Sequence, residues 1–413
     1  MSLPIGVTID DLVKHVSELI KKWEDHKLRQ REDWVARGRK NSQLIEITRR
    51  LYPQRSSQLV ELAGSFFPAI VVNAGENQFD SPDSVLGPLD ITKPGEIDYK
   101  LYKMGEPYLN FLIDTGRRVS NKPDSFAFER LSVLPDGGFK IDCSLASFRD
   151  TLLTSGIMEW ELLTQLGASK QERIEDLDSF IQKKLLVRNY VHSLVRGNDP
   201  ILNPTGRKAV MGIHTLILFN RGDGYAVLLG ERSQEGVAIY ENLVTVVPAG
   251  MFEPLTADMR SEFSAVHNMY REYLEELFSL GEVETPRAVI SHRFFYNNRN
   301  LKFLKKLIEN NEAKLSITGI TFNLLDLRPD LCLLLWIGST KWYEQHSAGE
   351  DNVDPIKFNA ELKIDSEKVT RIPNTLLEKD IEKVGFNHTN LVPPSAAAIS
   401  LGLNYAKKFG YFS

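Results

Sequence analysis

Apolar residues near the start of the chain recur at intervals of three and four, which is the spacing of one face of a helix. Leu12, Val16 and Leu19 carry this pattern. Basic and acidic residues are mixed through residues 21–50, which favours a solvated helical face over a surface for anionic partners. We therefore predict a helical segment over residues 1–65.

The pattern changes to alternation in the next segment, where two runs of alternating polarity flank a turn. The runs are Phe126–Leu131 and Phe139–Cys143, with Pro-Asp-Gly-Gly at residues 135–138 between them. Alternation around such a turn predicts a β-hairpin. The remaining elements predicted here are a strand at 67–72 and helices at 147–166 and 174–195. We interpret residues 66–205 as a mixed α/β region whose sequence indicates no particular chemistry.

Glycine, asparagine and proline cluster between residues 197 and 206, and strand-like patterns follow this break. Strands are predicted at 213–220, 225–230 and 243–247, a helix from 257 or 259 to 280, a strand at 288–292, a helix at 301–309, and strands at 315–325 and 332–337. Three strands, a helix and further strands are typical of a mixed sheet with helices on its faces. We therefore predict the α+β class, with this sheet in a domain at residues 206–345.

The last predicted element is a helix near the end of the chain. Pro393 and Pro394 stand where such a helix would begin, because proline is tolerated in a first helical turn. The small residues that follow, Ala396–Ala398, allow close packing, either on this chain or on a second copy in a homodimer. Packing on this chain is the preferred interpretation. Residues 346–413 are predicted to form a C-terminal extension that includes this helix.

Composition and charge narrow the class of protein. Hydrophobic residues make up 42% and charged residues 25% of the chain, as in ordinary globular proteins. The formal net charge of -5 gives no strong signal for nucleic-acid binding. Cys143 and Cys332 lack paired spacing, which favours a reducing compartment. No apolar run reaches the length of a bilayer span, and the first residues lack the pattern of a signal peptide, so we expect a cytoplasmic protein without a membrane segment.

Candidate chemistry lies in the long predicted helix. Glu272, Glu275 and Glu276 are spaced i, i+3 and i+4, so their carboxylates emerge on one face within about one turn. Three like charges that close repel one another unless a cation is present, and oxygen ligands suit Mg²⁺ or Mn²⁺. Arg271 could hold a neighbouring carboxylate with its planar guanidinium. The alternative is an acidic helix that simply faces solvent, since glutamate is a good helix former.

Arg271-Glu272-Tyr273-Leu274-Glu275-Glu276 resembles the second half of the signature of the Nudix superfamily. That signature is a glycine, five residues, a glutamate, seven residues, and then Arg-Glu-apolar-x-Glu-Glu-x-Gly-apolar on a loop–helix–loop after a strand. Pro248-Ala249-Gly250 stands where the family usually has Pro-Gly-Gly, and Glu253 follows where an acidic residue is common. The resemblance extends over about residues 213–342.

The sequence departs from the family pattern at three points. Gly250 and Arg271 are 21 positions apart, so the loop carries an insertion of about seven residues relative to the family. Phe263 occupies the place of the first glutamate, and Glu262 lies one position away. Phe278 replaces the closing glycine, and Gly281 is the next glycine that could end the helix.

The resemblance implies a mixed sheet flanked by helices and a metal-dependent hydrolase. Its substrate would be a nucleoside diphosphate linked to another moiety. Glu275 and Glu276 would be the main ligands of Mg²⁺ or Mn²⁺, with Glu272 as a further ligand or as the base that activates water. Gly250 and Glu253 would lie on the phosphate side, and Arg271 would orient a carboxylate. The alternative is a degenerate domain that senses a nucleotide or supports a protein interaction.

Other residues of this segment are interpreted as structural. His292 and Arg293 follow a predicted strand, and a lone pair of this kind is more often structural than catalytic. Trp336, Trp342 and Tyr343 could stack on a base, but aromatic residues near a strand end more often belong to the core or its rim. His214 is predicted to be a packed or edge histidine.

Overall fold

The computed structural model describes residues 7–30, 33–92, 96–117, 119, 124–169, 173–233, 240–279, 294–348, 353–359, 362–363 and 375–411. The strand predicted at 288–292, with His292 and Arg293 at its end, lies outside these residues, and so does Gly281. Among the described residues, no helix combines the length and the apolar character needed to cross a membrane. Cys143 and Cys332 are both buried and free.

The fold is mixed α/β. The α-helices are α1 Ile9–Gln30, α2 Trp34–Arg39, α3 Leu44–Leu51, α4 Tyr99–Asp114, α5 Phe148–Thr151, α6 Ile157–Ala168, α7 Leu177–Lys184, α8 Leu186–Leu194, α9 Met259–Glu262, α10 Ala265–Phe278, α11 Arg299–Glu309, α12 Thr340–Ala348 and α13 Pro393–Lys408. The strands are β1 Leu59–Leu62, β2 Ser65–Asn73, β3 Leu86–Asp90, β4 Ser125–Val133, β5 Phe139–Ala146, β6 Gly212–Asn220, β7 Tyr225–Arg232, β8 Val244–Val246, β9 Ala249–Met251, β10 Ala313–Asn323, β11 Pro329–Ile337, β12 Leu362–Lys363 and β13 Thr375–Leu377.

Most of these strands belong to one sheet. Its order is β1-β2-β10-β11-β6-β7-β12, with β8 and β13 also paired to β7 and β9 paired to β6. The neighbours β11 and β6 are parallel, whereas the other pairs of this sheet are antiparallel. A smaller sheet has the order β3-β5-β4. A parallel pair inside a mixed sheet needs both faces covered, and β6 and β11 are accordingly almost wholly buried.

Helices cover both faces of the large sheet. Gly402 of α13 packs so closely on Leu216 of β6 that an added Cβ would lie 2.7 Å from the Leu216 side chain. Phe219 has the opposite parity along β6, so it projects to the other face, where its ring contacts Trp342 of α12. The indole N–H of Trp342 donates to the Tyr273 hydroxyl at 3.0 Å, which places α10 on that second face.

The C-terminal helix packs on its own chain, as the preferred interpretation holds. The small residues Ala396, Ala397 and Ala398 are fully buried, and α13 contacts β10, β11 and β6. Strands of the large sheet also come from β1 and β2 near the start of the chain and from β12 and β13 near its end. The division into segments 1–65, 66–205, 206–345 and 346–413 stays a prediction, but one sheet takes strands from all four.

The hairpin predicted around residues 135–138 is confirmed as β4 and β5, with Gly137 in the left-handed region at φ 85°. Two long predicted helices are each broken. The one expected over 174–195 divides into α7 and α8 at Leu185, whose ψ of 60° is not helical. The one expected up to residue 280 divides into α9 and α10 at Phe263 and Ser264, because Ser264 turns to extended backbone and caps a new helix.

Candidate functional site

The helix α10 is flanked by two serine caps, Ser264 and Ser279. The Ser264 hydroxyl accepts a hydrogen bond from the His267 N–H, which satisfies one free donor of the first turn. At the other end Ser279 adopts left-handed backbone with φ 49°, one position after Phe278. Its hydroxyl donates to the Lys357 carbonyl at 2.8 Å, so a hydrogen bond holds a conformation that usually favours glycine. The helix therefore ends without the glycine of the family pattern.

The acidic face of α10 is turned toward the sheet. Glu272 and Glu276 are 7% and 3% exposed, and Glu275 is half-buried. The Glu272 carboxyl group lies directly over Gly250, where an added Cβ would be 2.1 Å from the carboxyl carbon. The interpretation of a helix that merely faces solvent is therefore wrong. Gly250 is needed here because it has no side chain to displace this carboxylate.

Arg271 links the helix to the end of β9. Its Nη2 atom donates to the Met251 carbonyl at 2.9 Å and to Glu272 Oε1 at 2.6 Å, while Nη1 lies 3.5 Å from Glu253 Oε1. The guanidinium is fully buried. The planar group therefore fixes a carboxylate from α10, a carbonyl from β9 and a carboxylate from the following loop in one place.

Glu276 contacts the same strand from one turn further along the helix. Its Oε2 atom accepts a hydrogen bond from the Ala249 N–H at 2.8 Å. Glu272 and Glu276 thus lie against successive residues, Gly250 and Ala249, at the end of the Pro248-Ala249-Gly250 sequence. The structure brings Glu272 and Glu276 onto the predicted Pro248-Ala249-Gly250 sequence. The prediction that this sequence merely ends the strand over 243–247 is wrong, because that strand ends at Val246 and Ala249 and Gly250 belong to a separate strand, β9.

Negative charge is in excess at this position. Burial raises the pKa of the Glu272 carboxyl well above its ordinary range; Arg271 lowers it, and the carboxylates of Glu275, Glu276 and Glu253 raise it. Burial also lowers the pKa of Arg271, but the carboxylates of Glu272, Glu275, Glu253 and Glu262, in that order, more than reverse this effect. We call Glu253, Glu272, Glu275 and Glu276 the carboxylate cluster. If all four were ionised around one guanidinium, the net charge would be −3, which a divalent cation would partly offset.

The carboxylate cluster offers oxygen donors, which are the ligands that Mg²⁺ prefers. Nevertheless, among the residues that the structure describes, no three acidic, histidine or cysteine side chains stand in a group that could hold a metal ion. The two buried carboxylates are directed instead to Arg271 and to the Ala249 N–H. The chemical character of the donors fits a hard divalent cation, but in this structure the carboxylates of Glu272 and Glu276 point toward hydrogen-bond donors of the protein itself.

Glu262, the residue nearest to the missing family glutamate, is used in the inserted loop. Its carboxylate accepts a hydrogen bond from the Thr256 hydroxyl at 2.9 Å, and Oε2 lies 3.2 Å from His267 Nε2. These contacts close residues 255–262 over the start of α10. Glu262 therefore organises the loop in which the insertion lies.

Sequence reasoning missed three contributors to the site: the Ser264 cap, the Ala249 N–H and the Met251 carbonyl. Ser264 carried a signal, since serine is a preferred cap residue and stands seven positions before Arg271. The two backbone groups carry no signal in the sequence, because every residue has them. The structural interpretation of Trp342 is confirmed by its complete burial.

His214, on the β6 strand beside β9, gives a prediction about acid stability. Burial first, and then the charges of Arg232 and Arg328, lower its pKa to about 3. Folding disfavours protonation of this histidine. Its contribution to folding stability is therefore fully present above the pKa of the unfolded chain, about 6.5, and is lost as the pH falls toward the lowered pKa of the folded state. We expect His214 alone to reduce the free energy of unfolding by about 2 kcal/mol between pH 7 and pH 5. Urea unfolding at both pH values measures this, and His214→Gln with the wild-type pH dependence would contradict it.

Comparison of the whole chain with models of known protein families gives no match, and comparison with curated protein sequences gives none either.

Proposed function

We propose that residues 206–345 form a Nudix-like domain that hydrolyses a nucleoside diphosphate-linked substrate with the help of Mg²⁺ or Mn²⁺. One observation carries the proposal: the Glu272 carboxylate lies over Gly250 while Arg271 bonds both Glu272 and the Met251 carbonyl. The sequence resemblance rests on residues about 21 positions apart. Their meeting in space is what a working site of this kind requires.

In this proposal Glu275 and Glu276 would be the main ligands of the cation, with Glu272 as a further ligand or as the base that activates water. The cation, when bound, would polarise phosphoryl oxygens and lower the pKa of water. The chain's own residues position the carboxylates for that chemistry. Arg271 orients Glu272, Gly250 leaves room for its carboxylate, and the Ala249 N–H fixes Glu276. Each contact restricts a carboxylate before any ligand arrives, which reduces the cost of ordering the site.

In the second of these roles, Glu272 would take the proton from an attacking water. Burial raises the pKa of its carboxyl above the ordinary range, which makes its carboxylate a stronger proton acceptor. The water oxygen bonds to one phosphorus, the bond from that phosphorus to the bridging oxygen breaks, and the bridging oxygen leaves with the other phosphate. The proton passes to the Glu272 carboxylate.

A nucleotide sensor without turnover is the second candidate. The observation in its favour is that Arg271 and the Ala249 N–H already engage the two buried carboxylates, so the cation would have to compete with protein contacts. The same region would then recognise a nucleotide and change its stability without cleaving it.

Metal removal separates the two candidates. We expect the protein to release phosphate products from at least one member of a panel of nucleoside diphosphate derivatives in millimolar Mg²⁺, and to lose this activity in excess chelator. The control is the Glu276→Gln variant in the same assay. Thermal stabilisation by a nucleotide with no product in Mg²⁺ or Mn²⁺ would favour the sensor.

A further inference from the structure

A cavity of about 640 Å³ lies between the N-terminal helices and the large sheet. Helices α1, α2, α4 and α6 form one side, and residues 240–243 with Asp326 and Arg328 form the other. This volume is in the range of small-molecule sites. The function proposed above makes no use of the cavity.

The cavity and the carboxylate cluster lie on opposite faces of β9. Arg328, which lines the cavity, approaches Met251 Sδ at 3.8 Å, whereas the Glu272 carboxylate lies over Gly250. Neighbouring residues of a strand project to opposite faces of its sheet. The cavity is therefore a separate place from the metal site proposed above.

Aromatic rings form the inner wall of the cavity. Tyr108, Trp160 and Tyr240 line it and are all buried. The Trp160 ring lies 5.3 Å from Tyr108 and 5.9 Å from Phe111, and the Phe111 ring lies 4.9 Å from Trp23. These rings meet at interplanar angles of 34°, 50° and 83°, so they form an apolar aromatic wall against which a planar ligand can pack.

Polar groups at the inner end can recognise the edge of a heterocyclic ring. Glu159 and Asp326 line the cavity and are buried, and Arg39 Nη2 donates to Glu159 Oε1 at 2.9 Å. Burial first raises the pKa of Asp326 to about 7, with Arg328 opposing and Glu159 adding to the shift. Asp326 can then donate as well as accept a hydrogen bond near neutral pH.

Three buried N–H groups of cavity-lining residues lack a partner among the described residues: Trp23 Nε1, Trp160 Nε1 and Arg39 Nη1. Buried polar groups in native proteins are normally hydrogen-bonded, so a set of unpaired ones in one wall calls for an explanation. All three are donors, and the cavity-lining acceptor that also lacks a hydrogen bond, Glu241 Oε1, forms an ion pair with Arg117. A ligand rich in acceptor atoms would complement this wall.

Two exposed lysines, Lys27 and Lys40, contribute to the lining of the cavity. The acidic residues near them are engaged, because Asp33 caps α2 through the Val35 N–H and Glu241 forms an ion pair with Arg117. An exposed pair of lysines attracts an anionic group such as phosphate.

Left-handed backbone is concentrated at the same cavity. Tyr240 and Asn242 line it with φ of 64° and 57°, and Leu327 between Asp326 and Arg328 has φ of 61°. Such conformations cost free energy outside glycine and persist where the surroundings enforce them, often at ligand sites. Buried arginines hold the backbone around Leu327: Arg207 donates to the Leu327 carbonyl at 3.1 Å, and Arg188 donates to the Leu324 carbonyl at 3.1 Å.

We propose that this cavity is a nucleotide-binding site, with the base against the aromatic wall and the phosphate at Lys27 and Lys40. Base recognition falls to Asp326, Glu159 and Arg39, which can accept from and donate to the edge of a heterocycle. The proposal concerns binding alone and does not depend on hydrolysis at the carboxylate cluster.

Calorimetric titration of the full chain in chelator tests the proposal, because the metal site is then inactive. The probes are the four ribonucleoside 5′-monophosphates and diphosphates, the corresponding nucleosides, and inorganic phosphate. We expect at least one nucleotide to bind one-to-one, more tightly than its nucleoside and than phosphate. The Glu276→Gln variant should bind it equally well, which separates this site from the proposed hydrolase.

Two sets of variants locate the site. Lys27→Glu with Lys40→Glu should weaken binding at least about tenfold, whereas Lys21→Glu with Lys302→Glu, which makes the same charge change away from the cavity, should not. Ala36→Trp, on an exposed lining residue of α2, should block the opening, and Leu28→Trp on the exposed face of α1 is its control. Absence of nucleotide binding in the wild type, or undiminished binding in Ala36→Trp, would overturn the proposal.

Discussion

Replacing Glu276 by glutamine should lower the turnover number at least about 100-fold in saturating Mg²⁺, while the fold is kept. The carboxylate accepts a hydrogen bond from the Ala249 N–H at 2.8 Å, and the amide oxygen of glutamine can accept the same bond. The negative charge offered to a cation is lost, but the contact that joins α10 to β9 remains. The charge and the hydrogen bond are thereby separated in one substitution.

The measurement is steady-state hydrolysis by Glu276→Gln, with circular dichroism and thermal unfolding to verify the fold. The matched control is Glu309→Gln, which makes the same chemical change at an exposed position of α11. Turnover close to wild type in Glu276→Gln would mean that the chemistry, if any, is elsewhere.

Gly250→Ala should be the most informative substitution on the sheet side of the site. An added Cβ would lie 2.1 Å from the carboxyl carbon of Glu272, so this carboxylate must move away from the strand. Arg271 would lose one of its partners in a buried setting, which costs about 1–3 kcal/mol of folding stability. We expect hydrolysis to fall at least about 100-fold, because the displaced group is the proposed further metal ligand or base.

A second substitution distinguishes displacement from general damage. Glu272→Asp shortens the side chain by one methylene and leaves room for a Cβ at residue 250. Gly250→Ala should therefore reduce the activity and the melting temperature much less in the Glu272→Asp background than in the wild type. Equal losses in both backgrounds would show that Gly250 acts on something other than Glu272.

Local spacing was sufficient to predict the core of the candidate site. The intervals between Glu272, Glu275 and Glu276 define a helical face without any structural information, whereas the sequence did not reveal that Ala249 and Gly250 start a strand of their own. The sequence could not tell which way that face points. Its direction depends on the packing of α10 against β6 and α12, including the Tyr273–Trp342 hydrogen bond, and this packing joins residues far apart in the chain.

The inserted loop was less predictable for a related reason. Apolar spacing continues across residues 259–280 and suggests one helix, whereas the structure has two with a cap at Ser264 between them. Glu262 was a candidate for the missing family glutamate on the basis of position alone. Its contacts with Thr256 and His267 depend on how the loop closes, and hydrophobic periodicity carries no information about loop closure.

The N-terminal half shows the same limit on a larger scale. The hairpin β4–β5 was predicted because its two strands and its turn are adjacent in sequence. The pairing of β2 with β10 joins Asn73 to Gly319, and local alternation cannot reveal a partner at that separation. The cavity beside the sheet was missed for the same reason, since its lining comes from residues 23 to 389.

The pairing of β2 with β10 bears on how far the chain can be shortened. A fragment cut to residues 206–345 would contain every proposed metal ligand. It would lack β2, however, so β10 would keep β11 on one side and have unpaired backbone amides and carbonyls on the other. Removal of α13 would at the same time uncover the apolar side chains around Leu216. Such a fragment would be prone to aggregation, so the smallest autonomous unit extends well beyond the segment that carries the motif.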